Sequence, residues 1–438
     1  MPSTLADMTP VLHTVPALAT LRGLMPGDSC YLVGGTLRDA LLGLPLHDID
    51  IVSADDPTPC AQEFAERLSS PWFWLDEGRR LSRVLVAGDD TWLTFDFAPF
   101  RAADLAADLA ARDYTINSLA LPLASPFDNA HLIDPLGGRE DLRRSLLRMC
   151  GPEAFVADPL RILKGLRHAV VLGFVIDETT CQAMMHHGWR LETVSVERVR
   201  KEFWAILAHE AAENGLRLLA STGIGALLFG DLFNEKLESM VAVLRRCQAV
   251  CSRLALDSAT LSRWQAESVA DGLDRRGLLL STFVLAAIDA LHPQMFAERW
   301  RLSRRARARI RGLMTLNRAV VDQLCRLERR PRLLSLWADK HGLDVLDLVL
   351  AASIICDDEQ RDTVLSWVPL AEEACRQTAN DLVDGDWLTT EIGIPAGPQI
   401  GEALEFVREY ELLGRVASRA DAEQLLRRYW TLTGRKRD

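Results

Sequence analysis

No apolar run in the sequence is long enough to cross a bilayer. The longest, Leu278 to Ile288, is broken by Ser281 and Thr282, whereas a spanning helix needs about 20 apolar residues. Met1 to Leu24 lacks a basic segment followed by a continuous apolar block, so no secretory leader is expected and the chain reads as cytoplasmic. The nine cysteines are scattered and form no Cys-x-x-Cys pair, which argues against both a zinc ribbon and a disulfide framework. Cys247 and Cys251, four apart, read as core residues of one helix. Excess positive charge is missing as well: 50 Lys and Arg against 61 Asp and Glu give a net charge of −11, which does not suggest general nucleic-acid affinity. No internal repeat or low-complexity segment is evident.

What is present is an ordinary globular composition, 48% hydrophobic and 25% charged, over 438 residues; that length suggests about two to four domains. Up to about residue 150, β-like runs alternate with turns and short helical patterns. Tyr31 to Val33, Asp50 to Val52, Ser82 to Val86 and Trp92 to Phe97 read as strands, because β-branched and aromatic residues concentrate there. After about Pro152 the apolar residues recur at i, i+3 and i+4 with no strand alternation, which predicts an all-helical remainder. Breaks are expected near Gly151-Pro152, Gly223 to Gly230, Leu291 to Pro293 and Gly393 to Gly397. Arg301, Arg304, Arg305, Arg307, Arg309, Arg311 and Arg318 fall in one segment without an acid. Such a segment is either a local phosphate-binding face or a helix face paired with acids elsewhere.

The chemistry concentrates in Tyr31-Leu32-Val33-Gly34-Gly35-Thr36-Leu37-Arg38-Asp39, followed by His47-Asp48-Ile49-Asp50-Ile51-Val52. A strand ending in two glycines lets the backbone approach a ligand, and the short helix after it presents free N–H groups to anions. Asp48 and Asp50, two apart on a strand, project from one face. Like charges held together need a proton or a divalent cation between them, and Mg²⁺ suits oxygen ligands shared with substrate phosphates.

These residues resemble the class II tRNA nucleotidyltransferases and the related bacterial poly(A) polymerases, a branch of the polymerase β-like superfamily. Gly34, Gly35, Arg38, Asp39, Leu41, Leu42, Gly43, Asp48 and Asp50 fill the G-G-x-x-R-D-x-L-L-G and D-x-D places. Arg112-Asp113-Tyr114-Thr115-Ile116-Asn117-Ser118-Leu119 is similar to R-R-D-F-T-I-N-A-L, with Ala111 for the first Arg and Tyr114 for Phe. Asp134, Gly137-Gly138, Asp141-Leu142 and Arg148 resemble a further element, Phe155 to Leu163 resembles F-x-E-D-P-x-R-x-L, and Ser195-Val196-Glu197-Arg198 matches S-x-E-R. The likeness covers about the first 210 residues and returns weakly at Asp384 to Leu388 and Ile394-Pro395-Ala396-Gly397 to Gly401. Leu278 to His292 shows no adjacent His-Asp pair, so the phosphohydrolase module that some relatives carry is not expected.

The resemblance implies an α/β nucleotidyltransferase head with a mixed sheet, polymerase β-like, followed by an all-α neck, body and tail. The corresponding divisions are an N-terminal extension at 1–25, the head at 26–150, the neck at 151–222, the body at 223–380 and an RNA-binding tail at 381–438. It implies an enzyme adding C, or the full CCA, to the tRNA 3′ end from CTP and ATP with Mg²⁺. Asp48 and Asp50 would hold metal, with Asp96 as a third catalytic carboxylate. Gly34, Gly35, Arg38, Arg112, Asp113 and Asn117 would bind nucleotide, Asp113 through the ribose 2′-hydroxyl. Asp158 and Arg161, three apart on a predicted helix, would read the base as a protein template, with Lys164 and Arg167 on the triphosphate. Arg304, Arg305, Arg307 and Arg311 would contact RNA. Two departures point toward the CC-adding members: Ala157 stands where the family has Glu, and Phe100 to Arg112 is brief where CCA-completing enzymes carry a longer loop. The rival readings are a poly(A) polymerase and a non-catalytic tRNA-binding protein. His186-His187 is read as no metal site, and Trp72, Trp74, Trp189, Trp204, Trp300 and Trp387 as core or interdomain anchors.

Overall fold

In a computed structural model, the structure describes residues 5–24, 29–88, 92–253, 264, 267–270, 273–289, 292–326, 331–377, 382–395, 397–412 and 415–430. Leu291 and Ala396, which belong to sequence features named above, lie outside them. The chain divides into two compact units, Met1–Gly230 and Asp231–Asp438.

The first unit is built on a mixed sheet of β1 (Cys30–Val33), β2 (Asp48–Ser53), β3 (Trp72–Asp76), β4 (Leu81–Ala87), β5 (Trp92–Pro99) and β6 (Ala120–Pro122), in the order β3-β4-β5-β2-β1-β6. Among the described residues of this sheet, β2 and β5 run parallel and the other four pairs are antiparallel. Alternation sets the two faces. Ile49, Ile51, Val84, Phe95 and Phe97 are buried, and Phe64 from the Thr58–Arg67 helix packs on Phe95 and Phe97 with ring centroids 5.0 and 5.9 Å apart. The intervening residues, Asp48, Asp50, Thr94 and Asp96, are thereby turned to the opposite face. Part of the N-terminal extension is folded into this unit as well: Met8, Leu12, Leu18 and Leu21 are buried, and the Ala6 N–H donates to the Leu41 carbonyl.

Helix α1 (Gly35–Leu41) follows β1, and α2 (Leu105–Ala110) fills the connection after β5. Helices α3 (Leu160–Leu172) and α4 (Val196–Ala208) pack on each other, and Leu163, Leu166, Val199 and Phe203 are buried. Tyr114 joins α3 to the sheet: its ring is buried and its hydroxyl donates to the Arg161 carbonyl at 2.6 Å. The second unit is mainly helical, with α5 (Leu237–Arg253), α6 (Arg275–Ala286), α7 (Arg304–Thr315) and α8 (Val345–Ile355) around one core, and a C-terminal cluster of Val383, Leu388, Ala403, Val407 and Leu426.

The remainder after Pro152 is largely helical, as expected, and two details differ. Val175–Ile176 pairs with Leu146–Leu147, and Ser268–Ala270 pairs with Leu273–Asp274. These ladders are two or three residues long, too short to show alternation. Trp204 and Trp300 are core residues, but Trp189 is 56% exposed beneath the Arg190 guanidinium. Cys247 and Cys251 are buried on α5, and the eight cysteines with described side chains are free thiols.

Gly165 leaves room for Tyr114, since a Cβ there would stand 2.0 Å from the tyrosine oxygen and 2.6 Å from Met184 Cε. Gly165→Ala is therefore expected to destabilise the first unit by about 1–3 kcal/mol despite alanine's better helix propensity. Combining it with Tyr114→Phe is expected to recover part of that loss. Thermal melts of the single and double variants check this, and a raised melting temperature for Gly165→Ala contradicts it.

Candidate active site

The β1–α1 turn places a glycine where nothing larger fits. Gly34 has φ +70°, and a Cβ on it would lie 2.8 Å from Asp50 Oδ2. Thr36, buried just beyond, accepts the Asp50 N–H at 2.9 Å and donates to the Asp48 carbonyl at 3.2 Å, which fixes β2 against α1. The parallel register sets Asp48 beside Thr94 and Asp50 beside Asp96. Three carboxylates thus share one sheet face, each in a different environment. Asp48 is exposed and accepts a hydrogen bond from the Thr94 hydroxyl. Asp96 is chelated by Arg83 from β4, at 2.6 and 2.7 Å. Asp50 accepts no hydrogen bond to its carboxylate among the described residues. Burial, reinforced by the charges of Asp96 and Asp48, pushes its pKa up to about 6 against the opposing pull of Arg112 and Arg101.

A cleft of about 760 Å³ opens beside Asp50. Nine of the residues singled out in the sequence line it: Gly34, Gly35, Asp50, Arg112, Asp113, Asn117, Asp158, Arg161 and Lys164. Most are preset by neighbours. Arg112 is held by buried Asp108 at 2.9 Å. Asn117 donates to Asp113 at 3.1 Å while its own oxygen accepts from Arg38 at 2.7 Å. Burial works against the Asp113 charge, but the facing His168, the Asn117 and Tyr114 N–H donors and nearby Lys164 together hold its pKa below the ordinary value. His168 is pushed well below its own ordinary value by burial and by Arg167 and Arg38.

Asp158 is not on a helix with Arg161. It is extended (φ −147°, ψ 100°) after the short Ala154–Ala157 turn, and Pro159 caps α3. Both residues nevertheless face the cleft. Asp158 accepts from Arg198 of the S-x-E-R element at 2.9 Å. Arg161 donates to the carbonyls of Ala111 (2.8 Å), Arg112 (3.2 Å) and Ala154 (3.3 Å). Three carbonyls thus hold the guanidinium, and Ala157 offers it no side-chain acceptor.

Four of the expected residues do not line the cleft: Arg38, Asp48, Asp96 and Arg167. Arg38 stands behind it, spent on Asp39 at 2.8 and 2.9 Å and on Asn117. Arg167 does not continue the Lys164 face; its guanidinium is taken by Glu202 at 2.7 Å. Asp48 and Asp96 lie on the sheet face beyond Asp50. Arg101, which lines the cleft next to Asp50 and Arg112, was not anticipated; its position just past a strand acid is the only local signal. Arg304, Arg305, Arg307 and Arg311 belong to the second unit, exposed on α7. Arg305 pairs with Glu267 at 3.2 Å, whereas Arg304, Arg307 and Arg311 have no ion-pair partner among the described residues. Arg309 is buried against Asp347 at 2.6 Å. Arg318 pairs with Asp322 and Asp357. The arginine segment is therefore divided between residues paired with acids and the exposed Arg304, Arg307 and Arg311.

Comparison with known proteins follows this geometry. The sequence model of the poly A polymerase head domain matches residues 30–148, and that of the probable RNA- and SrmB-binding site of polymerase A matches 173–235. A CC-adding tRNA nucleotidyltransferase of Geobacter sulfurreducens is 31% identical over 408 residues, 91% of this chain and 92% of the relative. The chain belongs to the tRNA nucleotidyltransferase family. A CCA-adding enzyme of Streptococcus thermophilus is 27% identical across 97% of this chain and 96% of its own. Among solved structures, a CCA-adding enzyme with ATP aligns at TM-score 0.63 and 24% identity over 99% of this chain and 100% of its own. The Thermotoga maritima CCA-adding enzyme with tRNA aligns at 0.60 and 24% identity, over 97% and 99%. The last two establish a shared fold.

No three His, Cys, Asp or Glu side chains close into a cation cage among the described residues. The open pair of Asp48 and Asp50 suits a cation that keeps waters and phosphate oxygens as its other ligands. The unbonded carboxylate of Asp50 fits that role, since a cation would offset both its burial and its like-charged neighbours.

Because the folded protein holds the Asp50 proton up to about pH 6, and the unfolded chain releases it near 4, folding is favoured on the acid side. That contribution is lost as pH rises through 6. Asp50→Asn is expected to raise the melting temperature of metal-free protein at pH 8, with little gain at pH 4. Mg²⁺ is expected to stabilise the native protein more at pH 8 than at pH 5. A difference independent of pH in these melts contradicts the assignment.

Proposed function

We propose that this chain is a template-independent, magnesium-dependent tRNA nucleotidyltransferase of the cytoplasm that adds C residues to the tRNA 3′ end. What carries the reading is the convergence of residues from separated elements, the Gly34-Gly35 turn, Asp50, Asp113, Asp158 and Arg161, on one cleft. Asp48 and Asp50 would hold the cations, with Asp96 beside them. When bound, these cations supply charge stabilisation to the attacking and leaving oxygens.

In this reading the acceptor 3′-hydroxyl attacks the α-phosphate of CTP and pyrophosphate departs. Gly34 and Gly35 leave space for the triphosphate, and Lys164, Arg112 and Arg101 supply positive charge to it. Asp113, kept ionised, accepts the ribose 2′-hydroxyl. Arg161 donates to the acceptor atoms of cytosine while Asp158 accepts from its amino group. The preference for C over A rests on two observations. Arg161 is anchored by three backbone carbonyls rather than by a mobile carboxylate. The connection after β5 is occupied by α2, capped by Asp104 and tied down through buried Asp108, rather than by a long loop. The divisions at 26–150, 151–222, 223–380 and 381–438 serve as head, neck, body and tail, with Arg304, Arg307 and Arg311 on RNA phosphates.

The test is incubation of purified protein with tRNA lacking its 3′ CCA and each NTP separately. Addition of two C residues with negligible A is expected; long A tails on unrelated RNA overturn the reading in favour of a poly(A) polymerase. Asp50→Ala is expected to lower incorporation roughly a thousandfold, the scale of losing a main electrostatic stabiliser, with tRNA binding retained. Undiminished incorporation by that variant removes Asp50 from the mechanism. In the same binding assay, replacing Arg304, Arg307 and Arg311 by Ala is expected to reduce the salt slope by about 3, and an unchanged slope removes them from the RNA contact.

A further inference from the structure

The catalytic sheet face continues past the acids into a region with no assigned role. Along β5, Trp92, Thr94 and Asp96 alternate with buried Phe95 and Phe97, so all three side chains share the face of Asp48 and Asp50. Across the ladder, Trp92 stands beside Ala87, Thr94 beside Leu85 and Asp96 beside Arg83. Trp92 is 58% exposed, whereas an indole is more often largely covered. Four residues of strand separate it from Asp96, about 13 Å.

The reaction gives this face a direction. The cleft lies to one side of Asp50, towards Leu81, Ala98 and the Gly34 turn, and neither Asp48 nor Asp96 lines it. In-line displacement requires the attacking hydroxyl to arrive opposite the departing pyrophosphate. An acceptor strand arriving from the side away from the cleft would pass over Asp48, Thr94 and Trp92. At about 3.4 Å per stacked base, about four nucleotides bridge the distance from Asp96 to the indole.

We propose that Trp92 is a stacking platform for the last bases of the RNA acceptor strand, holding its 3′ end in register with the catalytic acids. The proposal rests on the activity assigned above. Stacking suits this task, because every base offers a π-face and one platform serves whatever base precedes the growing end.

The experiment compares wild type, Trp92→Ala and Trp92→Phe in full-length protein. It measures KM for tRNA at saturating CTP, KM for CTP at saturating tRNA, and binding of a short single-stranded RNA. Loss of one base–aromatic stack corresponds to a rise of about 10- to 100-fold in KM for tRNA. This is expected for Trp92→Ala, with the CTP KM and melting temperature unchanged and most of the loss restored in Trp92→Phe. A tRNA KM within twofold of wild type, or an equal rise in both KM values, overturns the proposal. If wild type adds no nucleotide to tRNA, the activity reading fails by itself, and equal RNA affinity of wild type and Trp92→Ala then overturns the stacking site separately.

Discussion

Carboxylates that repel one another are held side by side on one sheet face, and the surrounding architecture accommodates that tension. The β2 sequence Asp48-Ile49-Asp50-Ile51 commits its isoleucines to the core, which forces both acids outward. The parallel pairing of β2 with β5 then adds Asp96 to the same row. Protein cations meet only part of the demand: Arg83 pairs with Asp96, and Arg112, whose charge does act on Asp50, is bonded to Asp108. Asp50 is left unbonded, with burial disfavouring its charge. In the proposed reading a cation would offset both the burial of Asp50 and its like-charged neighbours, as expected where perturbed carboxylates gather at a functional site.

Around this centre the cleft is preset. Asp113 is oriented by Asn117, which is in turn oriented by Arg38, while Arg161 is fixed by three carbonyls. Groups held before the substrate arrives cost little reorganisation during reaction. In the proposed reading the same rigidity would bear on specificity, since a template that cannot shift its donors cannot readily exchange one base edge for another. Ala157 and the compact α2 connection would then act in the same direction, each removing a means of adjusting the pocket.

The sequence was most legible where chemistry and periodicity coincide. The strand at Asp48 to Val52, the glycine pair and the R-D element were readable because each demands particular residues at fixed spacing. Strand β3 was not read, since Trp72-Phe73-Trp74-Leu75 is apolar at every position and shows no alternation. The extended backbone of Asp158 was legible in principle, because a residue before proline is biased away from helix. The partners of Arg167 and Asp96 were not: Glu202 lies 35 residues from Arg167, and Arg83 reaches Asp96 only through the β4–β5 register. The division of the arginine segment also depended on folding, which buries Arg309 against Asp347 and leaves Arg304, Arg307 and Arg311 outside.

Everything in this account descends from Asp48 and Asp50 acting as joint cation ligands beside the nucleotide. Anomalous diffraction from crystals soaked with Mn²⁺ and CTP addresses that point directly. The account requires a peak at about 2.1 Å from oxygens of both carboxylates, with the triphosphate against Gly34 and Gly35. A bound CTP with manganese elsewhere, or with Asp50 turned out of the cleft, contradicts it.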